Sequence, residues 1–516
     1  MNYINENTVL DFYLFQIEED KIKFLQDREE LKEEVKKNVI ELRGAEDLHE
    51  KIEIAKKLWK ALFKASMSYI DSDMRGYDDL FKYFDEYVNF EELIFASDSF
   101  YRDHTMHCLW VYFLGEYLFR KEEFKGVFNE YNRELNNVKK FSEVINKCEL
   151  DNYFNEFNTI IKSFDIEDFE DSIRCVAALT HDLGYPIKKI NKVNSCIGKI
   201  LPYFSLNNYK EFNFSYNTIQ QGFIDNFINL MSKNISFQSD NIVGDEEKEE
   251  YFKKLVERVF EFDKSYSITS IKEEELRNLD SSELKSLKRV LELKAIITEQ
   301  ISERLRYNND FEQYQHGIMS AFLLMKTLKA FSTVKLLYVD NQNLKMGPND
   351  IKEFQTKRII MGAIADHDSA SFRVSGINRE SDFLILIDEL EEFSRISRAN
   401  MNRQYVEEFC KSKIYYEEGV LNIDFVFDNE NIANLDPERA FKGRCNRFLS
   451  LFNIKELSPN LRIRLRCIGK LPYDDNVYTL EIGRKYANII INNEEQNIPK
   501  YLKSSEFHTK EMYMKL

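Results

Sequence analysis

Apolar residues recur at helical spacing through most of this chain and at strand spacing only towards its end. Between 48 and 66, Leu48, Ile52, Ile54, Ala55, Leu58 and Leu62 fall on one face of a 3.6-residue period, which predicts an amphipathic helix. Residues 1–95 read as an N-terminal helical extension, either a cap on the rest of the chain or a surface for a partner. The stretch 109–119 is apolar almost throughout, as is Cys175-Val176-Ala177-Ala178-Leu179, with Gly184 and Pro186 marking the end of the second run. Residues 201–305 read as a helical insertion. Within it, 236–241 and Gly244-Asp245-Glu246-Glu247 have loop composition, while 249–262 and 283–305 are charged amphipathic helices. Buried-type periodicity returns at Ile318, Ala321, Phe322, Leu324 and Met325, then over 359–365 and 383–393. From about 413 the period changes to two. Segments 420–427, 461–468 and parts of 477–491 alternate as half-buried strands do. They flank a helix over 437–452 with Asp436 as N-cap and Pro437 at its first position. The expected architecture is mainly α: a helical domain at 96–400 that carries the insertion, and a small α+β domain at 413–516.

Composition agrees with a helical chain, since 516 residues contain only 16 Gly and 7 Pro. A formal charge of −17 argues against nucleic-acid binding by the surface as a whole. No apolar run approaches the roughly 20 residues that span a bilayer, and the N-terminus has neither a basic nor an apolar leader segment, so no membrane role is expected. The seven cysteines (108, 148, 175, 196, 410, 445, 467) form no CxxC pair. That speaks against a disulfide framework or a thiolate zinc site and for a cytoplasmic protein.

The chemistry-bearing residues are the histidines. There are seven, and four short segments read as parts of one metal site: Arg102-Asp103-His104-Thr105-Met106-His107-Cys108, Thr180-His181-Asp182-Leu183-Gly184, Gln315-His316-Gly317 and Asp366-His367-Asp368. An acid, Asp388, sits in the apolar run 383–390. Imidazole and carboxylate together suit a divalent metal that polarises a phosphate. The doublet His181-Asp182 closes an apolar helix, and such polar groups persist in a core when paired or metal-bound. Other roles stay open: Asp388 could pair with Arg395 or Arg398, His104 could compete with His107 for one coordination place, and Asp366 or Asp368 could orient His367.

In order and helical context, His107, His181-Asp182 and Asp388 resemble the HD superfamily of metal-dependent phosphohydrolases. His107-Cys108-Leu109-Trp110-Val111 is similar to the family's first motif, and Asp388 to its late Asp. His316 and His367 lie where HD-GYP phosphodiesterases add two histidines. Gly184-Tyr185-Pro186 spells that tripeptide but follows the doublet directly, so by motif this is not an HD-GYP protein. The resemblance spans about residues 96–400. It implies an HD-type helical domain whose His107, His181, Asp182 and Asp388 hold one divalent ion. Asp182 would bridge to a second ion on His316 and His367, with Mn, Fe, Zn, Co or Ni all suitable. One or two such ions would generate a metal-activated hydroxide that cleaves a nucleotide or other phosphoester. Asp182 and His104 are the candidate catalytic groups, with His104 one helical turn before His107. Arg102, Lys188, Lys189 and Arg373 are candidates for phosphate contacts.

The expected partner is a small phosphorylated or nucleotide substrate, with a homo-oligomer allowed. Two other functions compete: an HD-fold nucleotide sensor or effector without turnover, and a metal-dependent nuclease. The alternating Arg462, Arg464 and Arg466 are either solvated or paired to acids, or form a polyanion or partner surface.

Overall fold

A computed structural model describes residues 3–95, 100–131, 144, 147–148, 150, 166–206, 215–239, 246–262, 268–290, 293–332, 348–397, 410–430 and 435–503. It is mainly helical, with a small C-terminal sheet. The predicted amphipathic helix is Leu48–Ile70, and Asp47 caps it by accepting the Glu50 N–H at 3.0 Å. Its apolar face is covered from within the chain. Trp59 stacks on Phe84 at 3.9 Å and donates its ring N–H to the Leu179 carbonyl at 2.7 Å. The N-terminal helices therefore form one layer of the core, and this face needs no partner.

Two helices run through the middle. His104–Arg120 is buried from His104 to Leu118, and Glu170–Thr180 from Asp171 to Thr180. A helix buried all round belongs at the centre of a bundle. Around them pack His316–Thr327, Pro348–Asp366 and Glu380–Leu390. Two glycines set the spacing of these helices. A Cβ on Gly184 would collide with the carbonyl of His316. One on Gly317 would lie 2.5 Å from the Ile364 carbonyl and 2.8 Å from Nδ1 of His367.

The insertion departs from expectation. The segment 283–305 is not one helix: Ser281–Val290 is followed by strand Leu293–Glu299 and then helix Ile301–Glu312. Its partner strand, Lys233–Ser239, contains most of the segment expected to be a loop, and Asp240 and Asn241 lie outside the described residues. The two strands pair antiparallel over all seven residues, from Lys233 with Glu299 to Ser239 with Leu293. β-branched Ile296, Ile297 and Thr298 favour this strand locally. Likewise 249–262 divides into helix Glu246–Val259 and strand Phe260–Phe262, which pairs with Ile268–Ile271. Leu255, Val259, Leu276 and Leu287 form a separate small core there. The insertion is thus α+β rather than helical.

The C-terminal domain has six strands in the order Glu494–Gln496, Tyr486–Ile491, Val477–Gly483, Ile463–Gly469, Val420–Phe427, Lys411–Glu417. All neighbours are antiparallel except Val420–Phe427 with Ile463–Gly469, and the crossover that a parallel pair requires contains helix Pro437–Leu451. Ile463–Gly469 alternates as expected. Val420–Phe427 does not, being buried on both faces beyond Val420. The reason is pairing: buried Asp424 accepts a two-pronged contact from Arg466, and Arg464 reaches Glu481 at 2.8 Å. Arg462 bonds the carbonyls of Glu418 and Gly419. The arginine stripe is engaged within the domain.

Candidate metal centre

Five helix ends converge around Asp182. His107 comes from the first turn of His104–Arg120, and Asp103 caps that helix by accepting the Met106 N–H. A short antiparallel pair, Phe100–Arg102 with Arg395–Ser397, draws this helix start beside the end of Glu380–Leu390, which carries Asp388. His181 and Asp182 follow Thr180. The turn after them is tied by Ser320, whose Oγ accepts the Gly184 N–H at 2.7 Å and lies 2.7 Å from the His181 carbonyl. His316 opens its helix and His367 follows the end of Pro348–Asp366.

The Asp182 carboxylate divides its two oxygens. Oδ2 lies 3.6 Å from Nε2 of His107 and 3.5 Å from Nε2 of His181. Oδ1 lies 3.0 Å from Nε2 of His316 and 3.5 Å from Nε2 of His367. Within the first group, the His107 and His181 Nε2 atoms are 3.2 Å apart, and Asp388 Oδ1 is 2.9 Å from His107 Nε2. Within the second, the two Nε2 atoms are 2.9 Å apart.

Each imidazole is anchored through its other nitrogen. His107 Nδ1 meets Glu391 Oε2 at 2.6 Å, and His181 Nδ1 meets the Ala178 carbonyl at 2.7 Å. His316 Nδ1 meets Asp368 Oδ2 at 2.7 Å, and His367 Nδ1 meets the Ile364 carbonyl at 2.6 Å. All four partners are acceptors, so with the proton on Nδ1 each Nε2 can turn a lone pair inward. Lone pairs facing one another and a carboxylate at these distances make a donor set that could hold cations. Two ligands each ~2.1 Å from one ion stand roughly 3.0 Å apart at a right angle and roughly 3.4 Å apart at a tetrahedral angle. The separations, 2.9–3.6 Å in the first group and 2.9–3.5 Å in the second, bracket those values.

Electrostatics differ between the two groups: against burial, Asp368 and a hydrogen bond with Asp182 raise His316 above its usual range. Burial pushes His181 down to about 3, which keeps it a neutral ligand. Burial opposes the charge on Asp182, but His181, His316 and His367 hold its carboxyl well below the usual range. Cys108 also lies within reach of His181 and Asp182. Burial and the Asp182 charge push its thiol up, against the thiolate that ligation needs.

The structure brings together His107, His181, Asp182, His316, His367 and Asp388. His104 stands beside them, its Nε2 4.0 Å from Asp182 Oδ2 and its Nδ1 2.8 Å from Glu91. Lys188 reaches the second group from behind, bonded to Asp368 at 2.6 Å and Gln315 at 2.9 Å. Lys189 lies 4.5 Å from the ring centre of Tyr185, and that ring is 3.9 Å from the His104 ring. Burial and the Lys188 charge lower Lys189 to about 8. Arg373 is exposed and bonds the carbonyls of Ala370 and Phe372. The side chains of Arg102 and Arg395, and all of Arg398, lie outside the described residues. Asp366 does not orient His367; it accepts from Arg306, Tyr307 and Ser381. Asp368 serves His316 instead.

Glu391 and Glu91 were not singled out from sequence. Glu391 lies 284 positions from the histidine it holds, and no spacing rule links them. Its Oε2 also accepts from Ser394 Oγ at 2.6 Å. Glu391→Gln keeps the shape and removes the charge. It is expected to weaken metal binding at the first group by about 10- to 100-fold, as read by chelator competition. Gly317→Ala forces apart the two helices of the second group, with an expected cost of about 1–3 kcal/mol. Urea unfolding would report that loss, and elemental analysis would show selective depletion of the second ion.

No family model matches this chain, and neither does any curated protein or solved structure. Among the described residues, no helix is long and apolar enough to cross a membrane.

Proposed function

We propose that this chain is an HD-type metal-dependent phosphohydrolase that cleaves a nucleotide or another phosphoester. The observation that carries the reading is Asp182, whose two oxygens serve two separate histidine pairs with every Nε2 turned inward. His107, His181, Asp182 and Asp388 would hold one divalent ion, and Asp182, His316 and His367 a second. Such ions polarise a phosphoryl oxygen and acidify water near neutral pH.

The chain's own residues supply the rest. Glu391, Asp368 and the carbonyls of Ala178 and Ile364 fix the imidazoles, so no reorganisation is needed when charge develops on the substrate. His104, held by Glu91, stands where Nε2 can pass a proton to or from a group beside Asp182. Tyr185 packs its ring between those of His104 and His316, at 3.9 and 5.5 Å, and shields that side from water. The ligating side chains with most exposure are His316 (12 %) and Asp388 (11 %), so the centre opens along their edge.

The test is a panel of nucleoside triphosphates, phosphomonoesters and phosphodiesters incubated with metal-loaded protein. Product release from at least one class supports the reading. Tight nucleotide binding with no release from any class would replace it with the sensor reading. That reading draws on the ion pairs of Arg444 and Arg447 with Glu392 and Glu389, which join the C-terminal domain to the segment following Asp388.

A further inference from the structure

Both histidines of the second group depend on one short turn. His367 comes from the segment Asp366-His367-Asp368-Ser369, which closes on itself where the Ser369 N–H donates to the Asp366 carbonyl at 3.1 Å. Asp368 of the same turn meets Nδ1 of His316 at 2.7 Å and accepts the His316 N–H at 3.2 Å. A shift of the turn would therefore move one ligand and the anchor of the other together.

Helix Ile301–Glu312 grips this turn at both ends. At one end, Asp366 Oδ1 accepts from Arg306 Nη1 at 2.7 Å and from Tyr307 Oη at 3.0 Å. At the other, Ser369 Oγ donates to Asp310 Oδ2 at 2.6 Å. Positions 306, 307 and 310 share one face of the helix. Glu303, a turn earlier on that face, meets Arg358 of helix Pro348–Asp366 at 3.1 Å. Tyr307, Asp310, Asp366 and Ser369 are all buried, so these bonds are made away from water, where they are electrostatically stronger. The same helix is tied to the insertion. Gln300, just before it, donates its N–H to the Ser232 carbonyl at 2.9 Å, and the Phe311 ring centre lies 6.3 Å from that of Phe227. The two histidines of the first group are anchored elsewhere, by Glu391 and the Ala178 carbonyl.

We propose that Arg306 and Asp310 are positioning residues for the second ion, and that the insertion, through helix Ile301–Glu312, sets how tightly that ion is held. This rests on the two-ion reading above. Both residues act on the turn that presents His367 and Asp368, not on an ion. A turn fixed in advance spares binding the cost of ordering it. The first ion has no share in this clamp, so the two affinities can be changed separately.

The experiment is titration of the metal-stripped full chain with Mn(II), with free ion counted by electron paramagnetic resonance. The spin-coupled signal of a bridged pair reports when both ions are bound, and His367→Ala identifies the affinity that belongs to the second group. Arg306→Met and Ser369→Ala are each expected to weaken that affinity about tenfold and to leave the other within about twofold of the parent. Arg306→Lys keeps a cation for Asp366 and should restore most of the loss. Should Arg306→Met fail to fold, Ser369→Ala, which removes a single hydroxyl, decides alone. Unchanged second-ion affinity overturns the proposal and leaves the two-ion reading standing. Equal weakening of both ions also overturns it and makes the clamp a general support of the fold. A parent protein that binds fewer than two Mn(II) defeats both.

Discussion

Asp182→Ala is expected to remove both ions and to reduce phosphoester turnover by about a thousandfold or more. The size of the effect follows from geometry. Every other ligand serves one group, but Asp182 gives Oδ2 to His107 and His181 and Oδ1 to His316 and His367. Losing it leaves two histidines and Asp388 on one side and two histidines alone on the other. His367→Ala provides the contrast, since it should empty the second group and spare the first. Metal content and turnover measured on both variants separate a shared bridge from two independent sites. Retention of one ion in Asp182→Ala at full occupancy would show that the carboxylate is not shared.

The candidate ligands are more legible in the sequence than the residues that hold them. His107, His181, Asp182, His316, His367 and Asp388 stand out because each is a polar residue at the end of, or inside, an apolar helical run, a placement with a cost unless something is bound or paired. Their anchors lack that signature. Glu91 sits in a helix rich in acids, and Glu391 is one of three acids at 389, 391 and 392. Tertiary structure, including the pairing of Phe100–Arg102 with Arg395–Ser397, brings Glu391 to His107. Charge and nearness in sequence do not report side-chain direction: Lys188 bonds Asp368, and Arg373 bonds neighbouring carbonyls. In the insertion, charge periodicity over 283–305 concealed the local strand preference of Ile296, Ile297 and Thr298. The C-terminal helix and strands were more legible, because period-two alternation and the Asp436-Pro437 start are local signals.

The second large effect lies beneath the site. Arg174, in the helix that delivers His181-Asp182, is 3 % exposed. It donates to Glu116 at 2.7 Å and to Asp171 at 2.6 Å, and its guanidinium lies 4.1 Å from the Phe119 ring centre. Arg120 shares the same two acids. Burial opposes the Arg174 charge, yet Glu116 and Asp171 raise its guanidinium well above the usual range. Arg174→Met would leave two buried carboxylates with Arg120 as their shared cation. The expected loss is about 3–5 kcal/mol, since removing one partner strands a buried charge. Adding Glu116→Gln should recover part of it, because the uncompensated charge goes with it. Urea unfolding of the parent and the two variants measures both numbers. A loss under about 1 kcal/mol for Arg174→Met would mean that water or side-chain rearrangement relieves the acids.

The central claim is a pair of ions bridged by Asp182. It is tested most directly by elemental analysis of protein purified without chelator and without oxygen. The account predicts two divalent ions per chain. One ion or none, even after reconstitution with Mn or Fe, would contradict it.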